Sequence, residues 1–342
     1  MVTVRDVARA AGVSAITVSR VVNASGPVNA ITRERVEKAI ADLRYVPNGM
    51  AKSLKSRQTH TLALVLTDIT NPFWTTVARG VEDTAAARGY HVIVCNTDED
   101  PQKELNYINI LVQRRIDGMI LAPSSNNTER LDLLSRYDMP CVLIDRHVKG
   151  KKMDIVRGDN AKGGFALTRH LIGLGHRDIA IMSGPVEVST ASQRLDGYRR
   201  ALAAHDIPIQ PDYIKYGTFK EGSSEQIVKE LLAASPRPTA IVAMNNLMCI
   251  GALRALRAEG LRVPEDIALV SFDDIPQASS IYPFLTVCVQ DAQKMGQMAT
   301  ALLMERIADK AASEPQEIVL DTTLIVRESC GAQLVKNAGI HR

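Results

Sequence analysis

The chain has 342 residues, 46% of them apolar and 4% aromatic, which is enough to bury substantial cores and too long for one ordinary domain. Its net charge of +3 hides an asymmetry: residues 1–60 carry ten Lys and Arg against four Asp and Glu, and the remainder carries 31 against 34. A short basic head on a mildly acidic body points to a polyanionic partner for the head alone, nucleic acid or a membrane surface.

The first residues, MVTVRDVARAAGVS, break their apolar pattern with charges and contain no continuous hydrophobic run, so a secretory signal is not expected there. Three short helices follow before residue 45. Thr3 precedes Val4, Val7, Ala8 and Ala11 at helical spacing, with Asp6 in the first turn and Gly12 permitting a tight turn. Ser14 caps a second run that turns Val18, Val21 and Val22 one way. Thr32 is expected to cap a third, with Val36, Ala39, Ile40 and Leu43 as its apolar stripe. Only three or four residues separate the first two helices, which is the geometry of a helix-turn-helix, and the second helix is its reading element. Its exposed face is expected to carry Ala15, Ile16, Thr17, Ser19, Arg20 and Asn23. Hydroxyls and amides suit phosphate oxygens, and Arg20 can pair with both O6 and N7 of guanine. The pattern alone also fits a basic module for protein contact.

Residues 46–58, VPNGMAKSLKSRQ, combine Pro47, Gly49, several basic residues and one apolar side chain, Leu54. A helix this short is marginal by itself, because nucleation is costly, and it can fold on contact with a partner. Leu54 suits a wedge that opens a base step in the minor groove, with Lys52, Lys55 and Arg57 near phosphates. A solvated linker with Leu54 packed on the core fits the same residues.

The run VTVRDVARAAGVSAITVSRVVN, followed by TRERV and YVPNGMAKSL, resembles the start of a LacI/GalR repressor almost position by position. The resemblance implies that Thr3, Ser14, Thr17, Asn23 and Tyr45 hold phosphates, that Arg20 reads a base, and that Leu54 wedges at the centre of a near-palindromic operator. It implies that Ala15 and Ile16 set specificity, that Ser19 joins the DNA contacts of the second helix, and that Asn48, Ala51 and Lys55 join Leu54 at the DNA. Ala15 and Ile16 are both apolar, so readout there leans on thymine methyls or DNA shape.

Beyond residue 60, apolar β-branched runs alternate with helical patterns at the spacing of βαβ units: LALVLTD, HVIVCNT, GMILAPS and PCVLID, then IAIMSG, IKYGTF, TAIVAMNN and IALVSFDD. Continuous apolar strands suit parallel sheets covered on both faces. The two sets predict two doubly wound lobes, about 60–160 plus 290–322 and 161–289 plus 323–330, because late strands near Leu285–Gln290 and Asp321–Arg327 take the chain across again. Residues 1–46 then form the head, 47–59 a hinge, and 331–342 a short tail without the leucine heptads of a coiled coil. The five cysteines, Cys95, Cys141, Cys249, Cys288 and Cys330, read as buried thiols of a cytoplasmic protein.

Polar residues gather where the strands end: Asp68 and Asn71 before Pro72, Phe73 and Trp74, then Asp145 and Arg146, Asn245 and Asn246, and Asp273 and Asp274. Ligands of open parallel sheets bind outside such strand ends. Carboxylates accepting from hydroxyls, guanidinium donating and rings covering C–H faces together fit a polyhydroxylated ligand. Taken singly, each residue has a duller explanation as a cap, a surface charge or core.

Residues 60–330 resemble periplasmic sugar-binding proteins of the ribose type, the fold of LacI-family effector domains. NPFW at 71–74, DR at 145–146, SQRLDGY at 192–198, Asn245, Asp273 and Gln290 carry the likeness. It implies that Asn71, Asp145, Arg146, Arg194, Asn245, Asp273 and Gln290 hydrogen-bond a small sugar or sugar derivative while Phe73, Trp74 and Phe219 stack on it. Asn246 stands where the family commonly has Asp.

The resulting fold class is α/β, a three-helix helix-turn-helix plus a two-lobed type I periplasmic-binding-protein-like domain. The expected activity is a homodimeric, sugar-controlled repressor on double-stranded operator DNA, with no catalytic residue, cofactor or metal. An enzyme would call for a glycine-rich phosphate loop, a nucleophile elbow or metal-spaced ligands, and none is present. A transport binding protein would not carry the basic head.

Overall fold

The computed structural model describes residues 2–46, 58–309 and 314–337. They fall into two units, 1–59 and 60–342. In the first, Thr3 opens α1 (Val4–Ala11) with a reciprocal cap: Asp6 N donates to Thr3 Oγ1 at 3.4 Å and Thr3 N to the Asp6 carboxylate at 2.9 Å. Gly12 ends the helix at φ +64°, the left-handed turn its lack of a side chain permits. Ser14 accepts from Thr17 N at 3.2 Å and starts α2 (Ala15–Val22).

The third helix, α3 (Ala30–Asp42), begins earlier than the sequence suggests. Its cap is Asn29 rather than Thr32, because the Asn29 side-chain oxygen accepts from Thr32 N at 2.7 Å and draws Ala30 and Ile31 into the first turn. Ile31 is exposed there, so no apolar stripe marks that turn in the sequence. Val7, Ala8, Ala11, Val18, Val21, Val36 and Ala39 fill the small core. The hinge residues Asn48, Ala51, Leu54 and Lys55 lie outside the described residues.

The second unit is built on two six-stranded sheets. The first comprises β1 (Thr61–Leu66), β2 (His91–Asn96), β3 (Gly118–Leu121), β4 (Cys141–Ile144), β5 (Ile155–Gly158) and β11 (Glu317–Leu320), in the spatial order β11-β5-β4-β3-β1-β2 with every pairing parallel. The second comprises β6 (Ile179–Ser183), β7 (Ile214–Tyr216), β8 (Ala240–Ala243), β9 (Ala268–Phe272), β10 (Thr286–Gln290) and β12 (Thr322–Ile325), ordered β12-β10-β9-β8-β6-β7. Only β12 runs antiparallel, beside β10. The helices are α4 (Pro72–Ala86), α5 (Pro101–Gln113), α6 (Glu129–Arg136), α7 (Asn160–Gly173), α8 (Ser189–Ala203), α9 (Ser224–Leu232), α10 (Asn246–Ala258), α11 (Pro276–Ile281), α12 (Ala292–Ala308) and α13 (Ala332–Asn337). The last of these occupies what the sequence suggests is only a tail.

Central strands are buried on both faces, as their unbroken apolar runs require: Leu62 to Leu66 are wholly inaccessible, as are Ala240 to Ala243. The chain passes between sheets after β5, after β10 and between β11 and β12. Two of these crossings touch, for a Cβ on Gly158 would lie 1.9 Å from Gln290 Oε1. Each lobe also has one very close helix pair. In the first lobe, Gly80 of α4 and Gly296 of α12 let the two backbones meet, and in the second a Cβ on Gly164 of α7 would lie 2.3 Å from the carbonyl oxygen of Arg194 in α8. All five cysteines are buried and free, as their apolar surroundings suggest. No described helix is long and apolar enough to cross a membrane.

Candidate functional site

In the head, Ile16, Ser19 and Arg20 of α2 and Asn23 at its C-terminal cap are exposed, whereas Thr17 is half-buried. Ala15, expected on the exposed face, is half-buried instead, since the first turn of α2 rests against the core. Ser14 Oγ lies 2.9 Å from Thr17 Oγ1, and Asn23 Nδ2 donates to Ser19 O at 2.9 Å, so these polar groups hold one another in place. Thr3 Oγ1 donates to Asp6 at 2.7 Å, which commits its hydrogen to the cap. Tyr45 is half-buried against the core. Among the described residues Arg20 has no ion-pair partner, leaving an extended cation on the outer face of α2.

In the second unit, nine of the ten residues assigned to the ligand line one space between the lobes, at the carboxyl ends of the strands. Two short backbone devices place its carboxylates. Asp145 follows β4 at φ +64° and Asp273 follows β9 at φ +62°, so equivalent strands of the two sheets end in a left-handed aspartate. That conformation is disfavoured by roughly 1 kcal/mol for most L residues and tolerated by Asp and Asn. Asn71 caps α4 by accepting from Phe73 N at 3.0 Å, which sets Phe73 and Trp74 in the first turn with ring centroids 4.9 Å apart and an edge-to-face angle of 73°.

Arg194 lies at the centre of the second lobe's share. Its Nε donates to Asn160 Oδ1 at 2.7 Å, its Nη1 to Met244 O at 2.5 Å, and its guanidinium stacks 3.7 Å over Phe272. Nη2 faces Asp273 Oδ2 at 3.9 Å. Arg146 is held from the first lobe by Glu99 through two bonds, at 2.6 and 2.8 Å, and lies 5.3 Å from the centre of the Phe219 ring. Asn245 caps α10 through its oxygen, donated to by Met248 N at 2.8 Å, and its amide donates to Phe219 O at 2.9 Å. Gln290 stands behind the lining and donates to Asp273 Oδ1 at 3.1 Å.

Burial pushes the Asp273 carboxyl up to about 6, with Arg194 opposing, and raises that of Asp145 as well. Burial likewise lowers the Arg194 pKa, against the pull of Asp273 and Asp145. Among the described residues, Asp145 Oδ1 and Arg146 Nε in the cleft and Gln290 Oε1 behind it are buried without a hydrogen-bond partner. Unpaired buried groups cost about 1–3 kcal/mol each, so a hydroxylated ligand that satisfies them is favoured. The enclosed space is only about 30 Å³, on the order of one water molecule and far below an ordinary ligand pocket.

Glu99, Lys220 and Thr190 were not foreseen as lining residues, whereas Asp68 is one of the strand-end residues the sequence puts forward. Glu99 and Lys220 bring charge, Thr190 a buried hydroxyl, and Asp68 a carboxylate already bound by Thr70. Glu99 follows β2, so the strand-end rule that finds Asp145 also finds it. Asp274, the neighbour of Asp273, faces elsewhere and pairs with Arg327 at 2.7 Å. Asn246 has a definite place, donating to Asn71 Oδ1 at 3.0 Å across the cleft. A wider groove of about 1070 Å³ lies on the second lobe among Leu253, Leu261, Ile281, Tyr282 and Phe284. Arg254 and Arg262 on its wall already pair with Glu221 and Asp266.

Comparison with known proteins gives matches over both units. The family described as bacterial regulatory proteins, lacI family, matches residues 3–48, and that of periplasmic binding proteins and sugar binding domain of LacI family matches residues 59–328. The HTH-type transcriptional repressor PurR of Vibrio parahaemolyticus is 35% identical over 330 residues, covering 96% of this chain and 98% of the relative. Among solved structures, the complex of the transcriptional regulator CelR with cellobiose aligns at TM-score 0.74 and 35% identity over 96% of this chain and 100% of that one. The lac repressor dimer bound to operator and the anti-inducer ONPF aligns at TM-score 0.82 and 29% identity, covering 96% and 99%.

Proposed function

The chain belongs to the LacI family of bacterial regulatory proteins, a DNA-binding transcriptional repressor by that membership, and on that premise we propose that a small sugar-like effector held between its lobes controls its affinity for an operator. The observation that carries this reading is the convergence of Asp145 and Asp273, one from each sheet, on a buried space that also holds Arg194 and three aromatic side chains. Asp145, Asp273 and Gln290 accept from or orient toward ligand hydroxyls, Arg194 and Arg146 donate, and Asn71 and Asn245 orient the rim. Phe73, Trp74 and Phe219 supply the apolar faces. A structural neighbour holds cellobiose, which supports the carbohydrate class.

In the head, Arg20 reads a base, Ile16 and Ala15 meet thymine methyls, and Thr3, Ser14, Thr17, Ser19, Asn23 and Tyr45 set the backbone register. Asn48, Ala51, Leu54 and Lys55 complete the contacts on the sequence evidence. The acting species is a cytoplasmic homodimer on a near-palindromic operator, its two heads in successive major-groove half-sites. Closure on ligand biases the relation between lobes and so the operator affinity, a coupling of typically about 1–3 kcal/mol that acts reciprocally.

The test uses the full chain, a duplex selected from a random DNA pool, and a panel of monosaccharides. A cognate sugar at 100 times its dissociation constant adds about 2.7 kcal/mol of stability and changes operator affinity by tenfold or more. A panel in which no sugar alters either the unfolding midpoint or the anisotropy of labelled operator overturns the proposal.

A further inference from the structure

The charged groups lining the cleft are four carboxylates, Asp68, Glu99, Asp145 and Asp273, against three cations, Arg146, Arg194 and Lys220. How these pair decides what charge a ligand can bring. Arg146 spends both terminal nitrogens on Glu99, at 2.6 and 2.8 Å, and Nη1 also reaches Pro123 O at 3.3 Å. Its remaining nitrogen, Nε, is buried beside Asp145 Oδ2 at 3.8 Å. Arg194 is committed to Asn160, Met244 O and the Asp273 side. Lys220 donates to Asp98 O at 3.4 Å, next to Glu99.

The loop that delivers Glu99 is built for the purpose. Asp98 and Glu99 are consecutive left-handed residues, at φ +56° and +64°, and neither is glycine. The segment is tied down by the Lys103 ion pair to Asp98, by Asn96 Nδ2 donating to Asp98 at 2.8 Å, and by Glu99 N donating to Thr67 O at 3.2 Å. Although burial works against it, the Arg146 guanidinium holds the Glu99 carboxyl below its ordinary range, so the side chain enters the cleft ionised.

We infer that Glu99 sets the charge selectivity of the cleft: by engaging the Arg146 guanidinium with both carboxylate oxygens it denies that cation to anionic ligands and restricts the effector to neutral or amine-bearing polyols. The inference rests on the sugar-like effector reading above. A carboxylate or phosphate reaching Arg146 has to displace Glu99 and leave it half-buried beside Asp145 with only Lys220 to offset its charge, and the burial of Asp145 is itself already under-compensated. Hydroxyls and ammonium groups instead donate into the excess of acceptors, with Asp145 Oδ1 open to a donor.

The experiment compares the full-length wild type with E99Q, which is close to isosteric, and with E99A as a second replacement. The probes are matched on one skeleton, glucose, glucosamine, gluconate and glucose 6-phosphate, with ribose and ribose 5-phosphate as a second set and inorganic phosphate alone as a bare anion. Calorimetry on the wild type is expected to give at least tenfold weaker binding for each anionic member than for its neutral parent, and the variants are expected to narrow that ratio at least tenfold. Wild type binding an anionic member as tightly as the parent, or variants leaving the ratio unchanged, overturns the inference. If no sugar binds any of the three proteins, the sugar reading fails by itself. The charge assignment is then decided by phosphate, which supports it by stabilising the variants and not the wild type, and overturns it by treating all three alike.

Discussion

Asn246 Nδ2 donates to Asn71 Oδ1 at 3.0 Å, joining the first residue of α10 in one lobe to the cap of α4 in the other. Both side chains are buried, and the same Nδ2 also reaches Asp274 O at 3.1 Å. The amide of Asn71 cannot turn to offer a hydrogen instead, because its oxygen is the acceptor for Phe73 N. An aspartate at 246 would therefore set a carboxylate against a carbonyl oxygen with no proton between them. Asn246→Asp is expected to open the resting cleft and lower stability by about 1–3 kcal/mol. Solution scattering should show a larger radius of gyration and calorimetry a lower midpoint, and unchanged values of both would sink this account of the contact.

The Arg194 fork makes two bonds that a lysine cannot reproduce together, to Asn160 and Met244 O, while stacking on Phe272. Arg194→Lys should reduce affinity for a neutral sugar by tenfold or more. Titration calorimetry checks this, and an unaltered dissociation constant would place Arg194 outside the ligand's reach.

Asp273, raised by burial to about 6, should give effector binding a pH dependence. Ligand hydroxyls favour the ionised carboxylate, so affinity should hold above about pH 6 and fall towards tenfold per unit below it. Folding responds in the opposite sense. A carboxyl raised in the folded state favours folding most below its ordinary value near 3.8, and that contribution disappears as pH rises through about 6. Asp273→Asn should therefore abolish the pH dependence of affinity and gain relative stability above pH 6. Calorimetric titrations from pH 5 to 8 on both proteins decide the matter.

Gly164 and Gly173 lie on the same helix and predict opposite results. A Cβ at 164 would strike the Arg194 carbonyl at 2.3 Å, whereas at 173 nothing lies within 4 Å. Gly164→Ala should cost about 1–3 kcal/mol and weaken ligand binding by shifting Arg194. Gly173→Ala should stabilise by roughly 0.5–1 kcal/mol, since Gly is the poorer helix former. Denaturant unfolding of the pair gives the comparison, and equal effects would count against the backbone contact.

For the head, Arg20→Ala should weaken binding to the selected operator by about 1–3 kcal/mol and relax preference at one base pair, while binding to random duplex changes little. Anisotropy titrations on both duplexes at one salt concentration test it. Equal losses on the two would make Arg20 a phosphate contact.

Much of this architecture is legible in the sequence because its signals are local. Thr3 and Ser14 announce helix starts, and the unbroken apolar runs at 62–66 and 240–243 announce covered parallel strands. The strand-end rule brought Asp145 and Asp273 forward. What stayed hidden depends on distant partners. Nothing near Glu99 names Arg146, 47 residues away, and nothing near Asn246 names Asn71, 175 away. The Asn29 cap was missed because the turn it starts carries no buried residue until Val36.

The two left-handed aspartates bear on how such a receptor changes its taste over generations. At 145 and 273 the left-handed backbone favours aspartate, asparagine or glycine over other residue types. A lineage exploring new signals is thus steered toward swapping acid for amide, one lobe at a time, with the scaffold unmoved. Each swap trades an acceptor-only group for one that can also donate, so the chemistry of the next signal is rationed by the same two torsion angles that hold the present one.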